Sequence, residues 1–357
     1  MLKARQAVRR LKEYHPPLGG RVGLRLDFNE NTVGCSPRVL ERLRQLQCDQ
    51  LARYPERETV ERRVAAHLDL DPDGVLLTNG VDEAIHLICE TYLEPEDEVL
   101  IVVPTFSMYE IYAAATGARV ITISAGPEFR YPTNEVLARI SSRTRLVAIA
   151  NPNNPTGAVV ALSDLLRILR TAPDTAVLVD EAYFDFYGES LLNEVGRYTN
   201  LFVARTFSKA YGLAGLRIGM LVGSPSQMAT VRRVSSPYNV NAVALACLPE
   251  ALADQEYVRQ YVAEVRQGRE RLEQELHSLR LRFWPSQANF VLVRIGERHN
   301  AFVRAMRERG VLVRDRSRDP GCEGCVRISI GSNAQTERLV VLLREAIQAI
   351  ASLGVPA

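Results

Sequence analysis

The sequence has little of what would mark a membrane, secreted or nucleic-acid-binding protein. None of its apolar runs approaches the roughly 20 residues that a membrane-spanning helix needs. Its 44 basic and 42 acidic side chains nearly balance, so the chain offers no strong field to nucleic acid or to an acidic membrane surface. A secretory hydrophobic region is also missing. We therefore expect a cytoplasmic protein that binds neither nucleic acid nor membrane.

Residues suited to a metal site are scarce as well. The five histidines show no ligand spacing, and the six cysteines are scattered apart from Cys322 and Cys325. One such pair, without a second pair or nearby histidines, is too little for a structural zinc site, so we interpret both as thiols in a loop and expect no metal. The basic residues within 1–12 indicate a solvated helix face rather than a transit peptide.

What the sequence does contain is a long alternation of apolar runs and amphipathic stretches, such as those at 135–140 and 163–170. This alternation predicts an α/β chain with a large, mostly parallel, seven-stranded sheet and helical crossovers. The strands are expected near 75–78, 99–103, 119–123, 145–150, 176–180, 201–205 and 217–222.

The pattern changes after Asn241. A long charged helix is expected near 254–279 and a final helix near 335–352, with strands near 290–294, 311–313 and 325–330 between them. This succession is typical of a smaller α+β domain, to which the first residues return. We predict a large domain of residues 35–240 and a small domain of residues 1–34 and 241–357.

Lys209 is the most informative residue, because two hydroxyls and an arginine accompany it. A lysine amine can form a Schiff base with a carbonyl, and Thr206, Ser208 and Arg217 supply donors and positive charge for a phosphate beside it. Pyridoxal 5'-phosphate (PLP) carries both groups. The same segment would also suit an ordinary strand-to-loop connection with a solvated lysine.

A carboxylate follows the apolar run 176–179, at Asp180. A buried, unpaired Asp is costly and needs a cationic partner. A protonated pyridine nitrogen would serve, and Asp180 would keep it protonated so that the ring accepts electrons. Tyr183 could then reach the phenolic oxygen of the ring. The alternative is that Asp180 merely caps the next helix.

Other strands also end in polar or glycine-rich turns. Asn154 follows the strand 146–149 in a turn with two prolines and a glycine, at the edge where ligands of open α/β sheets bind, and its amide can donate to a phenolate oxygen. Phe106, just past the strand 99–102, could stack on the pyridine face or be simply core.

A loop for the phosphate follows the strand 75–77. The backbone N–H groups of Val81 and Asp82 at a helix start would cradle a dianion, and Gly80 would allow its close approach. An acidic residue there also suits the helix dipole without any ligand.

Taken together, the chain resembles fold-type I PLP-dependent aminotransferases and, within that group, is similar to histidinol-phosphate aminotransferases. The resemblance covers nearly the whole length. Besides the asparagine turn and the lysine segment, it rests on the segments 26–31, 53–55, 237–241 and 313–331. It implies the PLP-dependent transferase (aspartate aminotransferase-like) fold and a homodimer with a shared active site.

The resemblance also implies residue roles at the substrate. Arg314 and Arg327 match the two arginines that the family places over the substrate, in keeping with the anion clamp that an amino donor requires, although either could be a surface residue. Tyr54 would reach the cofactor phosphate of the other subunit, and Tyr14 would contact the substrate phosphate. The implied reaction is L-histidinol phosphate plus 2-oxoglutarate giving imidazole acetol phosphate and L-glutamate.

Other functions remain open at this stage. A relative with the same cofactor residues could be an aromatic or broad-specificity aminotransferase, or an enzyme like the threonine-phosphate decarboxylases. A PLP-binding regulatory module without turnover would need a separate DNA-binding head, and we expect no room for one before the large domain.

Overall fold

A computed structural model of the protein describes residues 2–351, and over this range the chain forms twelve β-strands and fourteen α-helices. The strands are β1 (Leu24–Leu26), β2 (Val75–Thr78), β3 (Glu98–Val103), β4 (Arg119–Ser124), β5 (Thr144–Ala150), β6 (Ala176–Asp180), β7 (Leu201–Thr206), β8 (Gly219–Val222), β9 (Arg282–Trp284), β10 (Phe290–Arg294), β11 (Val311–Asp315) and β12 (Cys325–Ser329).

The helices surround two sheets. They are α1 (Gln6–Arg10), α2 (Pro37–Arg44), α3 (Cys48–Ala52), α4 (Glu58–Leu68), α5 (Gly80–Tyr92), α6 (Met108–Thr116), α7 (Thr133–Arg139), α8 (Leu162–Thr171), α9 (Phe184–Tyr187), α10 (Pro225–Val231), α11 (Ala242–Ala253), α12 (Gln255–Ser278), α13 (His299–Glu308) and α14 (Asn333–Ala351). No helix of the described range is long and apolar enough to cross a membrane.

The large sheet has seven strands in the order β2-β8-β7-β6-β5-β3-β4. Strand β8 runs antiparallel to both of its neighbours, and the other pairs are parallel. The predicted mostly parallel, seven-stranded sheet is confirmed. Strand β8 starts at Gly219 rather than at the expected position 217, because Arg217 has a left-handed backbone (φ 53°), which a strand cannot include.

Both faces of the large sheet are covered by helices, which explains why its strands are mostly apolar. Every residue of β2, β6 and β7 is buried. Helices α4, α8 and α11 pack on one face, through residues such as Val64, Ile168 and Leu248. Helices α5, α6 and α10 pack on the other, through residues such as Ile85 and Val231.

The small sheet has five strands in the order β1-β11-β12-β10-β9. The predicted strands β10, β11 and β12 are confirmed, whereas β1 and β9 were not predicted, since three residues are too few to show a periodicity. Strand β1 pairs in parallel with β11, so the N-terminal segment does return to this part of the chain. Helices α12, α13 and α14 supply its apolar cover.

The division into 35–240 and the two flanking ranges stays a prediction. Helix α11, which follows position 240, packs on α2 and α4 and belongs to the hydrophobic cluster of the large sheet. Helix α12 belongs to the cluster of the small sheet instead. Residues 1 and 352–357, which the predicted small domain and the predicted end of the last helix include, lie outside the described residues.

Candidate active site

A cavity of about 270 Å³ lies between the two sheets, at the carboxyl ends of β3, β5, β6 and β7. It is lined by all the site residues predicted from sequence except Gly80 and Tyr54. They are Tyr14, Val81, Asp82, Phe106, Asn154, Asp180, Tyr183, Thr206, Ser208, Lys209, Arg217, Arg314 and Arg327. The large sheet thus supplies most of these side chains, and β11 and β12 supply the two arginines.

Lys209 lies in the turn after β7, deep in the cavity. Its Nζ donates to the backbone oxygen of Phe28 at 3.1 Å. Burial and the positive charge of Arg327 lower the pKa of this amine to about 8, against an opposing effect of Glu30. A much larger share of the amine is therefore neutral and nucleophilic near pH 7 than for an exposed lysine.

Asp180 ends β6 and is fully enclosed. Its Oδ2 accepts a hydrogen bond from the hydroxyl of Tyr109 at 2.5 Å, and its Oδ1 accepts one from the backbone N–H of Ala182 at 2.9 Å. Burial raises the pKa of the Asp180 carboxyl to about 6. Both of these donors are uncharged, so a cationic ligand atom would relieve the cost of burying the carboxylate.

The helix-capping alternative for Asp180 is not what the structure shows. Helix α9 begins at Phe184, and its N-cap position is Tyr183. The bond from Ala182 to Asp180 is instead a local turn that orients the carboxylate. Asp180 therefore does not cap α9, and its carboxylate lines the cavity.

Tyr183 is buried at the side of the cavity. Its hydroxyl accepts a hydrogen bond from Nδ2 of Asn29 at 2.9 Å, and Oδ1 of Asn29 accepts one from Ser329 at 2.8 Å. Burial raises the pKa of the Tyr183 phenol. The sequence had not assigned Asn29, although it lies in a segment that carried the family resemblance.

The start of α5 forms an anion cradle with Arg217. A Cβ at Gly80 would lie 2.5 Å from Nη2 of Arg217, which donates to Oδ2 of Asp82 at 2.9 Å. Glycine at position 80 thus lets the guanidinium rest against the helix start, where free N–H groups and the helix dipole attract negative charge. Thr206 and Ser208 contribute hydroxyls to the same cavity.

Arg314 and Arg327 are direct neighbours across β11 and β12. Arg327 donates through Nη1 to Oδ1 of Asn154 at 2.5 Å and through Nη2 to the backbone oxygen of Asp27 at 2.7 Å, while its buried Nε has no hydrogen-bond partner. Burial lowers the pKa of this guanidinium to about 10. The Arg314 guanidinium lies over the Phe28 ring, 5.1 Å from its centre. Both are placed to receive an anionic ligand.

Several lining residues were not found from sequence, namely Phe28, Asn29, Glu30, Ser107, Tyr109 and Arg316. Arg316 could have been inferred from the sequence, since it lies two residues beyond Arg314 and alternate residues of an extended chain share a face. Tyr109 could not have been inferred, because a position in a helix among apolar residues is also typical of a tyrosine in the hydrophobic core.

Tyr54 lies apart from this cavity. Its side chain is 79% exposed, and its ring stacks on Tyr238 with the centres 4.3 Å apart. Cys322 and Cys325 are free thiols buried beside Phe129 and Trp284, one in the loop and one at the start of β12. Residues 2–351 contain no cluster of side chains that could hold a metal ion.

The donor set of the cavity fits PLP. A lysine amine, an enclosed carboxylate without a cation, and a helix start with an arginine match the aldehyde, the ring nitrogen and the phosphate, respectively. Gly80 bears on the fit directly, since any side chain there would displace Arg217.

Comparison with known proteins agrees with this geometry. Residues 21–343 match the family model of aminotransferases of class I and II, and the chain belongs to that family. The protein is thus an aminotransferase, and its predicted aspartate aminotransferase-like fold is confirmed.

Its relatives narrow the class further. The chain is 37% identical to a histidinol-phosphate aminotransferase of Symbiobacterium thermophilum, over 97% of this chain and 99% of the relative. The structure resembles that of histidinol-phosphate aminotransferase from Sinorhizobium meliloti in complex with pyridoxal 5'-phosphate, with a TM-score of 0.87, 25% identity and coverage of 98% and 99%. It also resembles L-threonine-O-3-phosphate decarboxylase from Porphyromonas gingivalis, with a TM-score of 0.77, 25% identity and coverage of 91% and 99%.

Proposed function

We propose that the protein transfers the amino group of L-histidinol phosphate to 2-oxoglutarate, giving imidazole acetol phosphate and L-glutamate, with PLP as its cofactor. The names of the relatives support the substrate pair. The observation that carries the proposal is the buried Lys209 amine, with its lowered pKa, in one cavity with the enclosed Asp180 and two arginines.

The residues predicted from sequence take the following roles in this proposal. Lys209 holds the aldehyde, Asp180 the ring nitrogen, and Tyr183 and Asn154 the phenolic oxygen. The phosphate is held by the start of α5 with Gly80, Val81 and Asp82, together with Thr206, Ser208 and Arg217, while Phe106 covers the ring. When bound, PLP supplies an electron-accepting ring that stabilises negative charge on the carbon bearing the substrate amine.

The chain's own residues then carry the proton and the substrate. The neutral Lys209 amine would remove the proton from the substrate carbon that bears the amino group, which the pKa of about 8 favours near neutral pH. Arg314 and Arg327 bind the anionic group of each substrate, and Tyr14, at the cavity mouth, contacts the donor phosphate. Because the same cavity and arginines would serve the amino donor and 2-oxoglutarate in turn, the kinetics should be ping-pong.

The proposal includes a homodimer with a shared active site. Tyr54 is the residue that supports it, because the exposed, stacked rings of Tyr54 and Tyr238 form an aromatic surface that a second copy would cover. Tyr54 would then reach the cofactor phosphate of that copy. The cytoplasmic location stays a prediction.

Two measurements test the function. The purified protein should acquire visible absorbance with PLP, and borohydride should fix a pyridoxyl label on Lys209; a colourless, unlabelled protein would contradict the cofactor assignment. A panel of amino donors, phosphorylated and not, should then show L-histidinol phosphate as the preferred donor with 2-oxoglutarate. Release of carbon dioxide from L-threonine phosphate without amino transfer would favour the decarboxylase alternative.

A further inference from the structure

A second cavity, of about 420 Å³, adjoins the first. Tyr14, Phe106, Ser107, Arg314 and Arg316 line both cavities. Arg314 lies in β11 and Arg316 directly follows the last residue of that strand, and both side chains reach the same two cavities. The wall that the two cavities share therefore carries two guanidinium groups.

Arg316 is held in place by its neighbours, but one N–H donor of its guanidinium is unpaired. Its backbone N–H donates to the oxygen of Cys325 at 3.0 Å, which extends the pairing of β11 and β12. Its guanidinium forms an ion pair with Asp319, and its side chain is 14% exposed. The buried Nε of Arg316 has no hydrogen-bond partner. An unused donor on a desolvated charge is costly unless a ligand completes it.

The wall also carries more positive charge than the protein neutralises. Arg314 lies directly opposite Arg327, and like charges in that position destabilise a sheet. Arg316 adds a third charge and, after burial, is the next largest cause of the lowered pKa of Arg327. Among the described residues, Asp319 is the acid that forms an ion pair with any of these three arginines. A ligand with two negative charges would neutralise the positive charge that Asp319 leaves uncompensated.

We propose that Arg316 is a specificity-determining residue that binds the second negative charge of dianionic substrates. Arg327 and Arg314 bind one charge, as in the proposed function on which this inference rests. Arg316 binds the other, and Asp319 competes with the ligand for it. The two sources of such a dianion are a phosphomonoester on the amino donor and the second carboxylate of a dicarboxylate such as 2-oxoglutarate. A monoanionic donor gains little from Arg316.

Binding of inorganic phosphate tests the site without turnover. The cofactor-loaded protein, whose own phosphate cradle is occupied, is titrated with inorganic phosphate by calorimetry. Arg316→Gln should weaken phosphate binding by about tenfold or more, since it removes a charge-assisted hydrogen bond. Arg316→Lys should retain part of the affinity. Asp319→Asn should strengthen binding, because it removes the competing carboxylate.

Arg318→Gln is the matched control. Arg318 is exposed, lies two residues further along, and lines the outer cavity without reaching the inner one. It should change phosphate affinity less than about twofold. Equal losses in Arg316→Gln and Arg318→Gln would overturn the inference. So would a loss in Asp319→Asn as large as that in Arg316→Gln, since the ion pair would then serve only the shape of the loop.

Half-reactions separate this inference from the proposed function and distinguish the two sources of dianion. For Arg316→Gln, KM should rise at least about tenfold more for L-histidinol phosphate than for L-histidinol, and more for 2-oxoglutarate than for pyruvate, with kcat changed less. If L-histidinol phosphate is no substrate while phosphate and 2-oxoglutarate respond as expected, the proposed function fails and the inference stands. If all KM values stay unchanged, the inference fails and the function stands.

Discussion

The hydroxyl of Tyr109 donates to Oδ2 of Asp180 at 2.5 Å, joining the second residue of α6 to the end of β6. Because Tyr109 is 1% exposed, this bond is shielded from water. It stabilises the charged form of Asp180 and opposes the effect of burial on the pKa of that carboxyl. The negative charge of Asp180 in turn adds to burial in raising the pKa of the Tyr109 phenol.

Removing this hydroxyl should shift the pH dependence of the reaction. Tyr109→Phe removes a bond that lowers the pKa of Asp180, so that pKa should rise and the acid limb of the rate profile should move to higher pH. We expect the rate of the donor half-reaction at neutral pH to fall about tenfold and to recover in part at higher pH.

The measurement is a stopped-flow pH profile of the half-reaction. Tyr112→Phe, on the same helix and stacked on His86 rather than bonded to Asp180, is the control and should leave the profile unchanged. An acid limb that stays in place in Tyr109→Phe would show that the bond does not govern the charge of Asp180.

Asp180→Ala should separate cofactor binding from chemistry. The cradle and Lys209 remain, so PLP should still bind and give visible absorbance. Without the carboxylate the ring nitrogen loses its partner, and the half-reaction should slow by about a hundredfold or more. Absorbance spectra and single-turnover rates measure the two effects, with the exposed Asp174→Ala as control. An unchanged rate would show that Asp180 does not meet the ring.

Arg327→Gln should impair both half-reactions. Both proposed substrates present an anion to this guanidinium, so we expect kcat/KM to fall about a hundredfold with either. Arg294→Gln, on the neighbouring strand β10 and exposed, is the control. Harm confined to one half-reaction would mean that the two substrates bind different arginines.

The lowered pKa of Lys209 predicts that burying this amine lowers the free energy of unfolding of the cofactor-free protein, at a cost that depends on pH. Burial lowers the pKa from 10.5 to about 8, so between these values the unfolded chain binds more protons than the folded one. The cost is fully present below about pH 8 and is relieved as pH rises towards 10.5. Its upper bound is about 3 kcal/mol.

Lys209→Met removes the titrating group and therefore isolates this cost. The free energy of unfolding of cofactor-free Lys209→Met should exceed that of the unsubstituted protein at pH 7, and the difference should shrink between pH 8 and 10. Denaturant unfolding at several pH values measures it. A constant difference across this range would mean that Lys209 titrates as an exposed lysine does.

The sequence predicted the large sheet because its central strands β3, β5, β6 and β7 each contain an apolar run of at least four residues, as a strand covered on both faces must. It predicted most of the cavity because side chains that follow parallel strands meet at one edge of the sheet. It could not show β1 or the place of Asn29, which depend on pairing with distant residues such as Val313 and Ser329. Nor could it reveal Tyr109, whose partner Asp180 is likewise remote in sequence.

The pairing of β1 with β11 joins segments that lie near opposite ends of the polypeptide. During synthesis on the ribosome, β1 emerges early and cannot pair with β11 until almost the entire chain has been translated. The large sheet can form in that interval, but Phe28, whose backbone oxygen accepts from Lys209, and Asn29 lie within three residues of the end of β1. A nascent or truncated chain ending before β11 would therefore remain incompetent for turnover, however well its first sheet had assembled.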